Sequence, residues 1–247
     1  MKKCFLAAAS ILAGTTVLGA SVNAADIAAK APVAIASPTW TGLYVNGGLG
    51  YGAWTADTTT IHPTTSQCDL CLVQVQGGKG WLGRVGIGYD YQFTSNIVAG
   101  VFADYDFSRL KGTIQDQFPF FAGEIKQTSA WALGARAGWL INPSALGYIN
   151  GGYSSAHFSS AHMLSTGDGT ATLASTPAKT THGWFLGGGF EIAVTPNLFW
   201  RNEYRYAAYA NRTLPDTGGR FPEDSITFKP TVQTFTTQVV YKFNWMR

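Results

Sequence analysis

Charge is scarce in this chain. Asp, Glu, Lys and Arg make up 13% of the 247 residues, about half the roughly 25% usual in a soluble domain. The formal charge of +3 comes from 17 basic and 14 acidic residues, and Lys2 and Lys3 supply two of the basic ones. So neutral a chain offers no basic-patch argument for nucleic acid, which is not an expected partner. Cysteine is nearly absent as well, with three in all. Cys68 and Cys71 form a single Cys-x-x-Cys, without the second pair of a zinc framework or the βαβ setting of a redox motif. No G-x-S-x-G occurs, and no Ser/His pair shares a strand face. The nucleophile-and-base signature is therefore missing, and the reading is not an enzyme. After the first forty residues there is no long Ala/Glu/Lys/Leu tract of the kind that builds a helix.

What the chain has instead is glycine, 29 of them, and 14% aromatics, beside much threonine, a mix that suits β-structure. It begins with Lys2 and Lys3, an apolar run from Phe5 to Leu18, and Val22-Asn23-Ala24. This is the tripartite pattern of a secretory signal with cleavage after Ala24. The run is too short to cross about 30 Å of hydrocarbon comfortably as an anchor. Cys4 precedes the run, whereas a lipoprotein cysteine would follow it. Residues 25–39 are rich in Ala and Pro and read as an extended leader, so the folded domain is expected at 40–247. In an exported chain a local disulfide between Cys68 and Cys71 is the expected state. A metal shared with His62, His157 or His162 is the alternative, although nothing fixes that spacing.

From Trp40 onward the chain alternates. In TGLYVNGGLGYG, Leu43, Val45, Leu49 and Tyr51 share one parity. In KGWLGRVGIGYDYQF, Trp81, Val85, Ile87, Tyr89, Tyr91 and Phe93 lie on one face, while Arg84, Asp90 and Gln92 lie on the other. Period two means strand. Short turn signals stand at 94–96 (TSN), 142–144 (NPS) and 195–197 (TPN), and longer polar stretches near 53–78, 108–123, 158–181 and 209–226. Long and short connections alternate, and seven connections make eight strands of roughly 10–14 residues. The expected fold is all-β, an eight-stranded antiparallel up-and-down transmembrane barrel.

Counting outward from each short turn gives a register. About Ser95, Arg84 faces Asp106. About Pro143, Arg136 faces Asn150. About Pro196, Glu191 faces Arg201, with Glu203 as a second partner for Arg201. Polar meets polar in all three, and a one-residue slip would break each match. The other face is apolar and banded. Tyr91, Phe93, Trp139, Trp200 and Phe243 stand near the short turns. Trp81, Tyr105, Trp131, Trp184 and Tyr206 stand ten or more residues up the strands, with Val85, Ile87, Val101, Leu133, Leu186 and Val239 between them. Two aromatic belts around an aliphatic band face lipid, whereas a lipocalin-like soluble barrel inverts the pattern. In FWRNEYRY (199–206) the charges then point inward, Trp200, Tyr204 and Tyr206 point to lipid, and Asn202 falls on the lipid face. The expected lumen charge network is Arg84, Asp90, Asp104, Asp106, Arg136, Glu191, Arg201, Glu203 and Arg205, with Lys242 also inward.

At WTGLYVNGGLGYG (40–52), GRVGIGYDYQF (83–93), VAGVFADYDF (98–107), GWFLGGGFEI (183–192), NEYRYAAY (202–209) and VVYKF (239–243), the chain resembles the small outer-membrane β-barrels of the alpha-proteobacterial immunogenic membrane protein type. These porin-like proteins are related to the opacity and OmpA transmembrane barrels. The resemblance implies a bacterial outer-membrane protein that contributes to envelope integrity, is surface exposed and antigenic, and has both termini in the periplasm. It implies contact with outer-membrane lipid and lipopolysaccharide and with the assembly machinery that reads the last strand. Family members usually end on that strand's aromatic residue. Here NWMR follows Phe243, so the assembly signal falls to Tyr241, Phe243 and Trp245. Some relatives are porins and some bind haem, but no haem-ligand motif is present and no cofactor is expected. Three readings follow: a structural barrel presenting four long loops to unidentified surface ligands, a narrow channel for small solutes, and, least, a barrel enzyme. Either a plug of salt bridges or a gated path fits the lumen charges, and an interior that eight strands leave just filled favours the plug.

Overall fold

The computed structural model describes residues 38–61, 74–115, 121–165, 172–215 and 225–243. Every alternating segment is a strand: β1 (Gly42–Ile61), β2 (Gln74–Gln92), β3 (Ile97–Gln115), β4 (Phe121–Asn142), β5 (Ala145–Phe158), β6 (Ala161–Ser165), β7 (Thr172–Thr176), β8 (Lys179–Ala193), β9 (Leu198–Tyr209), β10 (Arg212–Pro215) and β11 (Ser225–Phe243). Eight of them pair as neighbours in the order β3, β2, β1, β11, β9, β8, β5, β4, and a further pairing of β3 with β4 closes the ring. Closure removes the exposed edges that would leave backbone groups unpaired in an apolar solvent.

The short turns set three of the registers. Arg84 stands opposite Asp106 in β2–β3, Arg136 opposite Asn150 in β4–β5, and Glu191 opposite Arg201 in β8–β9, as counted from Ser95, Pro143 and Pro196. At the turn of 194–197, the Leu198 amide donates to Thr195 Oγ1 at 3.0 Å; at 94–96, Ile97 donates to Thr94 Oγ1 at 3.1 Å. Such hydroxyl–backbone bonds are why Thr and Ser suit these positions.

At the opposite end the strands exceed expectation. β1 continues through Ile61, β3 runs to Gln115 and β4 starts at Phe121, where composition suggested loops. The stretch 158–181 contains β6 and β7, which pair with each other, and β6 also pairs with β4. β10 pairs with β11. Polar, Thr-rich composition reads as loop only if a strand needs an apolar face. A paired strand extending beyond the apolar band needs none, and β-branched Thr favours it.

The two faces are sorted as the alternation requires. The belt and band residues named above are exposed on the outside, except Tyr206, which is half-buried: Trp81 at 71%, Trp139 at 56%, Leu133 at 58% and Val239 at 54% are typical. Asn202 has outward parity yet is only 6% exposed. It lies in register between Phe190 and Thr237, beside Trp200, so larger neighbours cover its short side chain. The interior is packed. Glycines face its largest side chains: a Cβ on Gly134 would stand 2.7 Å from Phe185 Cζ and 2.7 Å from the Gly151 carbonyl oxygen. Gly42 opens β1 at φ +147, where a Cβ would meet the Phe243 carbonyl oxygen at 2.8 Å.

Candidate functional site: the charged lumen

Because inward positions recur every second residue on eight closed strands, every inward charge projects into one narrow space. All nine residues of the expected network are buried there, and so is Lys242. They form two groups. Nearer the short turns, Asp90 and Glu191 serve Arg136, Arg201 and Lys242. Arg136 grips Asp90 through Nε (2.8 Å) and Nη2, and donates from Nη1 to Glu191 Oε2 at 3.0 Å. Arg201 Nε donates to Glu191 Oε2 at 2.9 Å. Lys242 Nζ reaches Asp90 Oδ2 at 2.8 Å and Glu191 Oε1 at 3.0 Å. Further up, Asp104, Asp106 and Glu203 serve Arg84 and Arg205. Arg84 holds Asp106 by a fork, Nε at 2.6 Å and Nη2 at 2.8 Å, and gives Nη1 to Glu203 at 2.7 Å. Arg205 holds Asp104 likewise at 3.0 and 2.7 Å and adds Glu203 at 2.8 Å. Planar, two-pronged pairs of this kind are the strong form of the interaction.

The lower group has one cation in excess and the upper group one anion, so the lumen as a whole is neutral. Tyr148 joins them. Its hydroxyl donates to Glu203 Oε2 at 3.0 Å, and its ring lies 5.1 Å from the Arg136 guanidinium. Asn150 also donates to Glu203, at 2.6 Å. Arg201, expected to use Glu203 as a second partner, makes no hydrogen bond to it: Arg84, Arg205, Tyr148 and Asn150 occupy that carboxylate. Arg201 rests instead on the Tyr44 ring at 4.8 Å. Its Nη2 lies 2.7 Å from Glu191 Oε2 but is not aligned as a hydrogen bond, so its one carboxylate partner is Glu191.

Apolar side chains close both ends of this stack. Below, the Trp40 and Phe199 rings pack at 5.0 Å with Lys242 Nζ 4.7 and 4.8 Å over them, and Trp40 Nε1 donates to the Pro143 carbonyl at 3.1 Å. Above, Trp54 Nε1 donates to the Leu110 carbonyl at 3.2 Å, and its ring meets Phe158 edge-on at 6.2 Å. Between Arg84, Asp104, Arg205 and Tyr209 lies a cavity of about 20 Å³, room for about one water.

The charged lumen residues were legible from parity. Trp40, Tyr44 and Tyr148 were not singled out, although Tyr44 and Tyr148 have inward parity and Trp40 lies just before β1; Asn150 was placed opposite Arg136, but its bond to Glu203 was not foreseen. His182 meets Tyr153 Oη at 2.6 Å, with the rings stacked at 6.0 Å. The pair crosses β5–β8, whose long connection hides the register. His157 bonds Thr180 Oγ1 at 3.0 Å, and His162 lies on β6. Tyr241 and Phe243 share the outer face of β11 with rings 5.1 Å apart. Cys68, Cys71, His62 and Trp245 lie outside the described residues. Among the described residues no group of three or more His, Cys, Asp or Glu could hold a metal.

A closed antiparallel barrel with an aromatic-belted apolar exterior and a salt-bridged interior is an integral β-barrel membrane protein. The family model described as "Outer membrane protein beta-barrel domain" matches residues 11–243, and the chain belongs to that family of the bacterial outer membrane. It is 28% identical over 250 residues to the 31 kDa outer-membrane immunogenic protein of Brucella melitensis biotype 1, covering 98% of this chain and 100% of that one. It is 28% identical over 214 residues to the 25 kDa outer-membrane immunogenic protein of the same organism, covering 86% and 84%. Among solved structures, the outer membrane protein OprG from Pseudomonas aeruginosa superposes with a TM-score of 0.58 at 10% identity, over 84% of this chain and 98% of that one. That likeness is one of fold.

Proposed function

We propose that the protein is a closed, non-conducting structural barrel that contributes to envelope integrity. In this reading both termini lie on the periplasmic side, and the four long connections are displayed at the cell surface as antigen or adhesion surfaces. The observation that carries it is the lumen: Arg84, Arg136, Arg201, Arg205 and Lys242 are met by Asp90, Asp104, Asp106, Glu191 and Glu203, all of them buried, with a cavity of about 20 Å³ beside Arg84, Asp104, Asp106 and Arg205. Such a stack ties β2, β3, β4, β8, β9 and β11 together across the barrel. Among the described residues it leaves no ion path, and in this reading the protein acts by standing in the membrane. The relatives' names, outer-membrane immunogenic proteins, support surface display. Folding onto this site would use the assembly machinery, which reads the exposed Tyr241 and Phe243.

Planar-bilayer recording tests the reading. The native protein should show no sustained single-channel openings in concentrated KCl. The paired variant Asp104→Ala/Arg205→Ala, neutral in net charge, should conduct, and so show that the native barrel is silent because it is filled. Sustained openings of the native protein would establish a small-solute channel instead.

A further inference from the structure

On β2, Trp81 and Tyr91 mark the two aromatic belts. They are ten residues apart, about 33 Å along a strand at about 3.3 Å per residue, or about 25 Å along the membrane normal at a tilt near 40°, the height of a barrel's apolar band. Lys79 is the next outward position above Trp81 and so stands at the level of lipid headgroups. Lys79 is directly opposite Lys111 on β3, and Lys111 is directly opposite Lys126 on β4. Arg109, two residues from Lys111 on β3, is exposed on the same face. The one acid paired to this ledge among the described residues is Glu124, 2.7 Å from Lys126, which leaves three positive charges unmatched. Like charges directly opposite on neighbouring strands are destabilising. Two such pairs in one row, on a chain with so few charges, are unexplained by the fold. The adjoining β1–β11 pair differs: there Asp57 faces Lys229 and the charges cancel.

We propose that Lys79, Lys111 and Lys126, with Arg109 beneath them, form an anion-binding ledge for the phosphates of the glycolipid in the outer leaflet. The aromatic belt just below receives its acyl chains: Trp81 and Phe107 are both exposed there. The ledge deepens the proposed function by naming which wall of the barrel grips the surrounding lipid, and it rests on that reading only for the side of the membrane it faces.

The test uses the full mature chain folded into phosphatidylcholine vesicles, alone or doped in both leaflets with monophosphoryl lipid A, so the result depends neither on orientation nor on whether the lumen conducts. The readout is the urea midpoint of unfolding, followed by tryptophan fluorescence. In phosphatidylcholine alone, Lys79→Gln/Lys111→Gln/Lys126→Gln should be at least as stable as the native chain, because repulsion is relieved. With lipid A the native chain should gain and the triple variant should not, so that the order reverses. High salt should abolish the reversal. Each lysine lost should weaken lipid retention by about fivefold, roughly a hundredfold for three. Lys111→Gln alone serves if the triple variant does not fold, and Lys229→Gln should respond to lipid A as the native chain does. An equal gain in native and triple proteins, or no gain in either, overturns the proposal. A gain as large from dissolved inorganic phosphate would make the ledge a free-anion site and overturn its assignment to lipid.

Discussion

Glu191 is the residue whose loss should cost most. It is fully buried and touches three cations, Arg136, Arg201 and Lys242. In Glu191→Ala, Arg136 and Lys242 keep Asp90, but Arg201 keeps no carboxylate partner. Leaving a buried charge unpaired costs about 3–5 kcal/mol. Arg201→Ala is the milder change, because Glu191 retains Arg136 and Lys242; the loss is about 1–2 kcal/mol, near the scale of one charged hydrogen bond. The two residues are therefore unequal although they face each other in register. In the Glu191→Ala background, removing Arg201 takes away the orphan, so the double variant should be more stable than Glu191→Ala alone. Urea unfolding in lipid vesicles measures all four corners of the cycle. With a slope of about 3 kcal/mol per molar urea, Glu191→Ala should lower the midpoint by about 1–1.5 M, and Arg201→Ala should restore part of it. Strictly additive effects, or an Arg201→Ala as damaging as Glu191→Ala, would refute the account of the lumen as a shared-carboxylate network.

Two further outcomes follow from the same packing. Gly134→Val should destabilise the barrel by about 1–3 kcal/mol, seen as a lower urea midpoint, because the new side chain would press on Phe185, Phe102 and the Gly151 carbonyl. The chain should fold only in detergent or lipid and migrate differently on gels with and without heating, since Trp81, Leu133, Ile149 and Leu186 are all exposed on the outer wall; a soluble detergent-free monomer would contradict that wall facing lipid.

Much of this was legible in the linear chain because three of its connections are short. Parity is local, so it sorted Arg84, Asp106, Glu191 and Arg201 inward and Trp81, Trp139 and Trp200 outward without any knowledge of the fold. A tight turn also fixes register by counting, which paired Arg84 with Asp106 and Glu191 with Arg201. Long connections allow no such count. Tyr153 with His182, joined through β6 and β7, and the row Lys79–Lys111–Lys126, whose second link spans the long β3–β4 connection, became visible only once those strands were paired. The contacts across the lumen are more remote still. Arg205 with Asp104, Arg84 with Glu203 and Lys242 with Asp90 are separated by 101, 119 and 152 residues. No propensity or alternation relates such positions. They meet because β1 pairs with β11 and β3 with β4, which bends a sheet into a ring so narrow that charges from opposite walls share the same carboxylates. The sequence by itself determined that the charges face inward. Closure of the barrel decided which of them would be partners.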